Sequence, residues 1–318
     1  MSQEFNTKIH SVCQVKLPVG EILNIRKNRL MPSDQNHKEK KRIGIVTGIH
    51  GDELEGQYVC YEVIRRIREH PEFLTGIVDV YPAMNPMGID SVTRGIPGFD
   101  LDMNRVFPGS RDGAMTEYVA HEIIEDLAGA DLIVDIHASN IYLTEIPQIR
   151  INELHKDFLV PLAHYMNVDF VWVHASNTVL ESTLAYSLNS TGTPALVVEA
   201  GVGMRITKRY CIQLADGLMN IMRVLGIWQG EVGAVRKPLI EDRADGVVFF
   251  NAPSAGIFIP SAEHWTTLER GDKVGELIDP LTGEVLSEIL TPERGILFTI
   301  REYPVVDEGS LVGRLLIR

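Results

Sequence analysis

At 318 residues, with 45% hydrophobic and 23% charged side chains, the chain is long enough for a large core and has an ordinary globular composition, which excludes disorder and fibrous repeats. The 43 acidic residues outnumber the 30 basic ones and give a net charge of -13, which repels nucleic-acid phosphates and anionic lipid, so no nucleic acid and no membrane is expected as a partner. Three scattered cysteines, Cys13, Cys60 and Cys211, suit a reducing compartment, and the absence of a signal-like apolar run or a long uncharged stretch predicts a cytoplasmic protein.

Along the chain, GEILNIRKN alternates as a strand, and residues 31–42, MPSDQNHKEKKR, read as an exposed connection. The apolar run IGIVTG then leads into GIHGDELEG, which places His50 and Glu53 in a glycine-lined turn ahead of the helical GQYVCYEVIRRIREH. In that turn Asp52 and Glu55 are expected to face solvent or to cap the following helix.

GIVDVYPAMNP comes next, followed by residues 85–110, a glycine- and proline-rich stretch too irregular for regular structure that contains Arg94, Asn104 and Arg105. Long loops inside a compact domain are usually functional, and arginine forks suit a carboxylate or a developing oxyanion. The competing reading is a solvated loop whose arginines pair with Asp100 and Asp102.

A helix in AMTEYVAHEIIEDLA precedes DLIVDIHAS, which ends on His137; FVWVHAS, STLAYSLNSTG and PALVVEAG follow, the last carrying Glu199, before the helical YCIQLADGLMNIMRVLGIW. Alternating strands and helices predict an α/β domain whose largely buried sheet is flanked by helices. Near Gly230 the helical period stops, and short alternating runs such as GVVFFNAPSAGIFIP and GSLVGRLLIR predict a compact all-β module. The boundary falls between Gly230 and Asp245, giving a catalytic domain over 1–235 and a C-terminal β domain over 236–318.

His50, Glu53 and His137 sit at strand ends and form the two-histidine, one-carboxylate set that leaves a position open on zinc for water. Glu199, closing an apolar strand beside glycines, is the candidate proton carrier. His10, His37, His70, His121, His155, His164 and His264 read as structural, whereas His174, at another strand end, is a candidate for supporting the ligands. Several divalent ions can fill such a site, so the native metal is left open.

In order, GIHGDE, the NP-G of Asn85 to Gly88, DLDMNR, DIH and VVEAG resemble the motifs of the succinylglutamate desuccinylase and aspartoacylase family, a branch of the zinc carboxypeptidase superfamily, over positions 44–203. The resemblance implies a zinc carboxypeptidase-like fold, an α/β domain with a mixed central sheet, and one zinc ion per chain on His50, Glu53 and His137. It further implies Glu199 as general base and acid, Arg94 polarising the scissile carbonyl, and Asn104 with Arg105 gripping the substrate carboxylate. DLDMNR stands where many relatives carry a shorter DLNR-like version, and the family's remaining substrate-selecting residue has no clear counterpart; Arg205 and Tyr142 are candidates. The tail is similar to a barrel-sandwich module of the biotinyl and lipoyl type, but Lys273 lacks a carrier context, so a role in narrowing the active-site mouth or in homo-oligomer contacts is expected.

The function implied is zinc-dependent hydrolysis, by a metal-activated water, of the amide bond in a small N-acyl amino acid or related N-acylated amine. The alternative is a zinc carboxypeptidase acting on peptide C-termini.

Overall fold

The apolar runs that precede the candidate ligands become neighbouring parallel strands. A computed structural model describes residues 6–32, 39–99, 101–174 and 181–318. In chain order it contains β1 (Asn6–Lys16), β2 (Ile22–Met31), β3 (Arg42–Thr47), α1 (Glu55–Glu69), β4 (Ile77–Tyr81), α2 (Pro86–Ser91), α3 (Met115–Leu127), β5 (Leu132–His137) and β6 (Leu143–Asn152). These are followed by α4 (Lys156–Ala163), β7 (Phe170–His174), α5 (Leu184–Ser190), β8 (Ala195–Gly201), α6 (Lys208–Val224), β9 (Leu239–Glu241), β10 (Val247–Asn251), β11 (Gly256–Pro260) and β12 (Thr267–Leu268). The chain closes with β13 (Lys273–Asp279), β14 (Glu284–Leu290), β15 (Gly295–Arg301), β16 (Val305–Val306) and β17 (Leu311–Ile317).

β4, β3, β5 and β8 lie side by side and parallel in a 13-stranded mixed sheet. Their residues alternate between the sheet's two faces. Ile43, Ile45 and Val134 join a core with α1, α4 and α6, while Val46 and Ile133 join another with α3 and α5. Burial on both faces is why these strands read as continuous apolar runs. Among the described residues no helix is long and apolar enough to cross a membrane.

The sheet continues into the tail: β6 is antiparallel to β8 on one side and to β15 on the other, and β17 and β10 follow. β14, β13, β11 and β16 form a second sheet, and Phe250, Phe258, Leu277, Leu297 and Leu315 share the core between the two.

Two expectations need correction. The stretch over 85–110 is not wholly irregular, because Pro86–Ser91 is a short helix capped by Asn85, whose side-chain oxygen accepts from the Gly88 N–H at 2.9 Å. Asp52 and Glu55 do not face solvent: they are 7% and 0% exposed. Glu55 accepts from the Thr207 N–H at 2.7 Å and the Cys211 thiol at 2.9 Å, so it caps the start of α6 instead of its own helix.

Candidate active site

The parallel strands β3, β5 and β8 deliver their carboxyl ends to one edge of the sheet, where such sheets commonly bind ligands. His50 and Glu53 follow β3, His137 ends β5, and Glu199 lies in β8 directly across the ladder from His137. The glycines make this turn possible. A Cβ on Gly51 would lie 2.0 Å from the Gly88 carbonyl carbon, so only glycine lets the turn lie against the loop that carries Arg94. Asn85 ties the same pieces together, its N–H donating to the Gly48 carbonyl at 2.7 Å and its amide to the Gly95 carbonyl at 3.0 Å.

His50 Nδ1 lies 2.8 Å from Glu53 Oε1, His137 Nδ1 lies 3.0 Å from Glu53 Oε2, and the two Nδ1 atoms are 3.2 Å apart. Their ligand atoms all fall within 4.8 Å of one another. Each imidazole is held from behind: His50 Nε2 is 3.0 Å from Asp102 and His137 Nε2 is 3.1 Å from Asp135. An ionised carboxylate only accepts, so each Nε2 carries a proton, and each Nδ1 is the nitrogen left to offer a lone pair when a cation at the common centre displaces the proton it shares with Glu53.

Two lone pairs and a carboxylate facing one another without a positive charge would repel, so the donor set fits a divalent cation of zinc's type. The electrostatics agree. Burial depresses the imidazole of His137, yet Asp135 and Glu53 outweigh it and leave the group raised well above its usual range. Burial favours the neutral acid of Glu53, yet the two histidines pull it below the usual carboxylate range. The centre attracts positive charge.

Arg94 donates to Glu53 Oε1 at 2.8 Å and lies 3.5 Å from Asp102 while remaining 41% exposed, so the loop-pairing reading holds for Asp102 and the guanidinium still borders the centre. Asp100 and His37 lie outside the described residues. Asn104 is buried and its side-chain oxygen accepts from the Leu184 N–H at 2.9 Å, bracing the start of α5. Arg105 donates to the Asn104 carbonyl at 2.7 Å.

Glu199 faces Arg150, 3.4 Å away. Burial pushes its carboxyl up, Arg150 opposes the rise, and the group is left at about 7.

All seven predicted residues line one cavity of about 760 Å³, together with Asp135, Tyr142, Glu145, Arg150, His155, Trp172, His174, Phe249 and Arg314. Tyr142 is thus placed at the site, stacked edge-on to Tyr303, whereas Arg205 is not among the lining residues. His174 packs beside Trp172, and His155, read as structural, also borders the cavity.

Several of these residues escaped the sequence. Asp135 had a usable signal, since in a strand it shares the face of His137 two residues later. Glu145 and Arg150 lie in β6, where Pro147 argues against a strand; the structure accommodates it at a register shift between Glu145 and Gln148. Arg314 comes from the last strand and carried no local signal.

Residues 39–225, more than half of the chain, match the succinylglutamate desuccinylase/aspartoacylase catalytic domain. The N-alpha-acetyl-L-2,4-diaminobutyric acid deacetylase of Halomonas elongata is 27% identical over 282 residues, covering 84% of this chain and 75% of that protein. Among solved structures, the product-bound ectoine utilization protein EutE (DoeB) of Ruegeria pomeroyi superposes with a TM-score of 0.82 at 19% identity, covering 98% of this chain and 95% of the other. A succinylglutamate desuccinylase from Silicibacter sp. TM1040 gives 0.83 at 20% identity, covering 99% and 96%.

Proposed function

The chain belongs to the succinylglutamate desuccinylase/aspartoacylase family, and on that footing we propose that it is a zinc-dependent deacylase that hydrolyses the amide bond of an N-acyl amino acid or related N-acylated amine. The observation that carries the reading is the convergence of His50 Nδ1, His137 Nδ1 and Glu53 on one point beside Glu199, within one cavity. The activity named for the Halomonas relative supports the same reaction class.

Zinc on His50, Glu53 and His137 would supply a Lewis acid and lower the pKa of a water at the open position. Asp102 and Asp135 hold the two imidazoles in the ligating tautomer. Arg105, and the amide of Asn104 beside it, orient the substrate carboxylate, and Arg94 stabilises the negative charge that develops on the acyl oxygen. Glu199 takes a proton from the water that attacks the acyl carbon, then gives it to the departing nitrogen as the carbon–nitrogen bond breaks. The products are a free carboxylate and an amine. A carboxyl near 7 can serve as base and then acid near neutral pH. In this reading residues 1–235 are the catalytic domain of a cytoplasmic enzyme, and 236–318 are a β domain that closes one wall of the cavity.

The test is amine release from N-acetyl and N-succinyl amino acids and diamines, Nα-acetyl-2,4-diaminobutyrate included, beside peptides with free C-termini, with chelator-treated protein as control. Chelator-sensitive release from acyl amino acids is expected. Cleavage of peptides alone would replace the deacylase with the carboxypeptidase.

A further inference from the structure

We propose that Arg314, Glu145 and Arg150 form a positioning relay through which the last β strand holds the Glu199 carboxylate in place; the proposal rests on the reading of Glu199 as the proton carrier. Register builds the relay. Glu145 on β6 stands opposite Thr299 on β15, Thr299 opposite Arg314 on β17, and Arg314 opposite Phe249 on β10. Residues in one such row share a face of the sheet, and threonine is short enough for the Arg314 guanidinium to reach past it and donate to Glu145. On the other flank Gln148 stands opposite Glu199, and Arg150, two residues on, shares their face.

Glu145 is 1% exposed and is gripped from both sides. Arg150 donates to both its oxygens at 2.8 and 2.7 Å, Gln148 donates at 2.6 Å, and Arg314 donates to Oε1. The Arg150 guanidinium lies 5.9 Å from the centre of the Trp172 ring and that of Arg314 lies 5.3 Å from the centre of the Phe249 ring, so each cation sits within cation–π range of an aromatic face.

The charges explain why this is more than a strut. One carboxylate cannot neutralise two guanidinium groups, so the uncompensated positive charge falls on Glu199, the nearest other carboxylate, at 3.4 Å from Arg150. Arg314 thus competes with Arg150 for Glu145 and leaves Arg150 partly available to Glu199. Without Arg314, Arg150 would be satisfied by Glu145 and withdraw from Glu199. Without the Glu145 charge, Arg150 would close on Glu199 and clamp it.

The experiment compares crystal structures and steady-state kinetics of the zinc-loaded wild type with Arg314→Met, Arg314→Lys and Glu145→Gln. The Arg150–Glu199 separation should lengthen in Arg314→Met and shorten in Glu145→Gln, opposite shifts that loss of packing alone does not produce. Both variants should lose about 10²-fold in kcat, the scale of a small misplacement of a reacting group, with KM within about two-fold. Arg314→Lys, which keeps the charge, should recover most of the loss. An unchanged separation in both variants, or an unchanged kcat, overturns the relay; if Arg314→Met does not fold, the isosteric Glu145→Gln decides by the same criteria. A wild type inactive on every acyl substrate would sink the deacylase reading, while the crystal structures would still decide the relay.

Discussion

Two clusters of buried charge lie in the same sheet, one self-sufficient and the other not. In the first, Asp79 on β4 is 0% exposed and meets Arg29 at 2.6 Å, Lys27 at 3.4 Å and Arg42 at 3.4 Å; Asp126 takes up Lys27 at 2.7 Å and the Tyr81 hydroxyl at 2.6 Å. Its cations all come from the chain. In the second, Glu53, Asp102 and Asp135 surround two imidazoles whose Nδ1 atoms face each other at 3.2 Å, and the nearby guanidinium of Arg94 stays 41% exposed at the rim. Folding pairs both carboxylates of the first cluster with cations of the chain, whereas the second, in the reading proposed above, takes its cation from outside, which is how a binding centre differs from a structural ion network built from the same residue types.

The strongest way to sharpen this contrast is to remove charge from each cluster in turn. Glu53→Gln should abolish tight zinc retention, read as metal content after dialysis, and reduce amine release to background. Glu199→Gln, which removes no proposed ligand, should keep the metal and lose about 10²–10⁴-fold in kcat, the usual worth of a positioned acid–base group. Retained metal with retained activity would remove Glu199 from the mechanism.

Asp79→Ala should do the reverse, leaving metal stoichiometry intact and costing about 3–5 kcal/mol of stability, because it strands buried cations without their carboxylate. The midpoint and slope of urea unfolding measure it. A loss of zinc in Asp79→Ala with normal stability would erase the distinction between the clusters. Asp135→Asn should fall between them, weakening zinc affinity about 10–100-fold, since it frees the His137 ring without deleting a ligand. Competition with a chromophoric chelator would report it.

The same contrast explains what the sequence could disclose. His50, Glu53, His137 and Glu199 were readable because each stands at the end of an apolar strand, and parallel strands bring such ends together whatever the rest of the chain does. Asp135 escaped that reading although the alternation of β5 puts it on the face of His137. Glu55 was misjudged because an acidic residue in the first turn of a helix ordinarily caps that helix in solvent, and nothing local says that the start of α6 will be packed against it. Arg314 was hidden for a different reason: its reaching Glu145 depends on β17 pairing with β15 and β15 with β6, a long-range register that no short pattern encodes. The fold class followed from period and punctuation, while the continuation of the main sheet into the tail did not, since the β9–β17 runs look the same whether they pair with one another or with β6.

The smallest expected effect separates the clusters by pH. Burial alone would raise the Asp79 carboxyl, but the Arg29 hydrogen bonds and the charges of Lys27 and Arg42 outweigh it and hold the group below the usual carboxylate range. The unfolded chain therefore binds the Asp79 proton at a higher pH than the native protein does. The stability this group contributes is fully present above the unfolded value of about 3.9 and is lost as pH falls from there through the lower native value. Asp79→Asn removes that dependence, so its unfolding free energy should fall less steeply than that of the wild type between about pH 5 and pH 3, the window around the unfolded value. Added zinc should not restore the difference near neutral pH, because the ion stabilises through the other cluster by mass action, about 2.7 kcal/mol at a hundred-fold excess over Kd, and should do so equally in wild type and Asp79→Asn. A zinc response that differed between the two would mean that the two clusters are energetically joined through β3 and β4, and that the sheet between them transmits the charge state of one to the other.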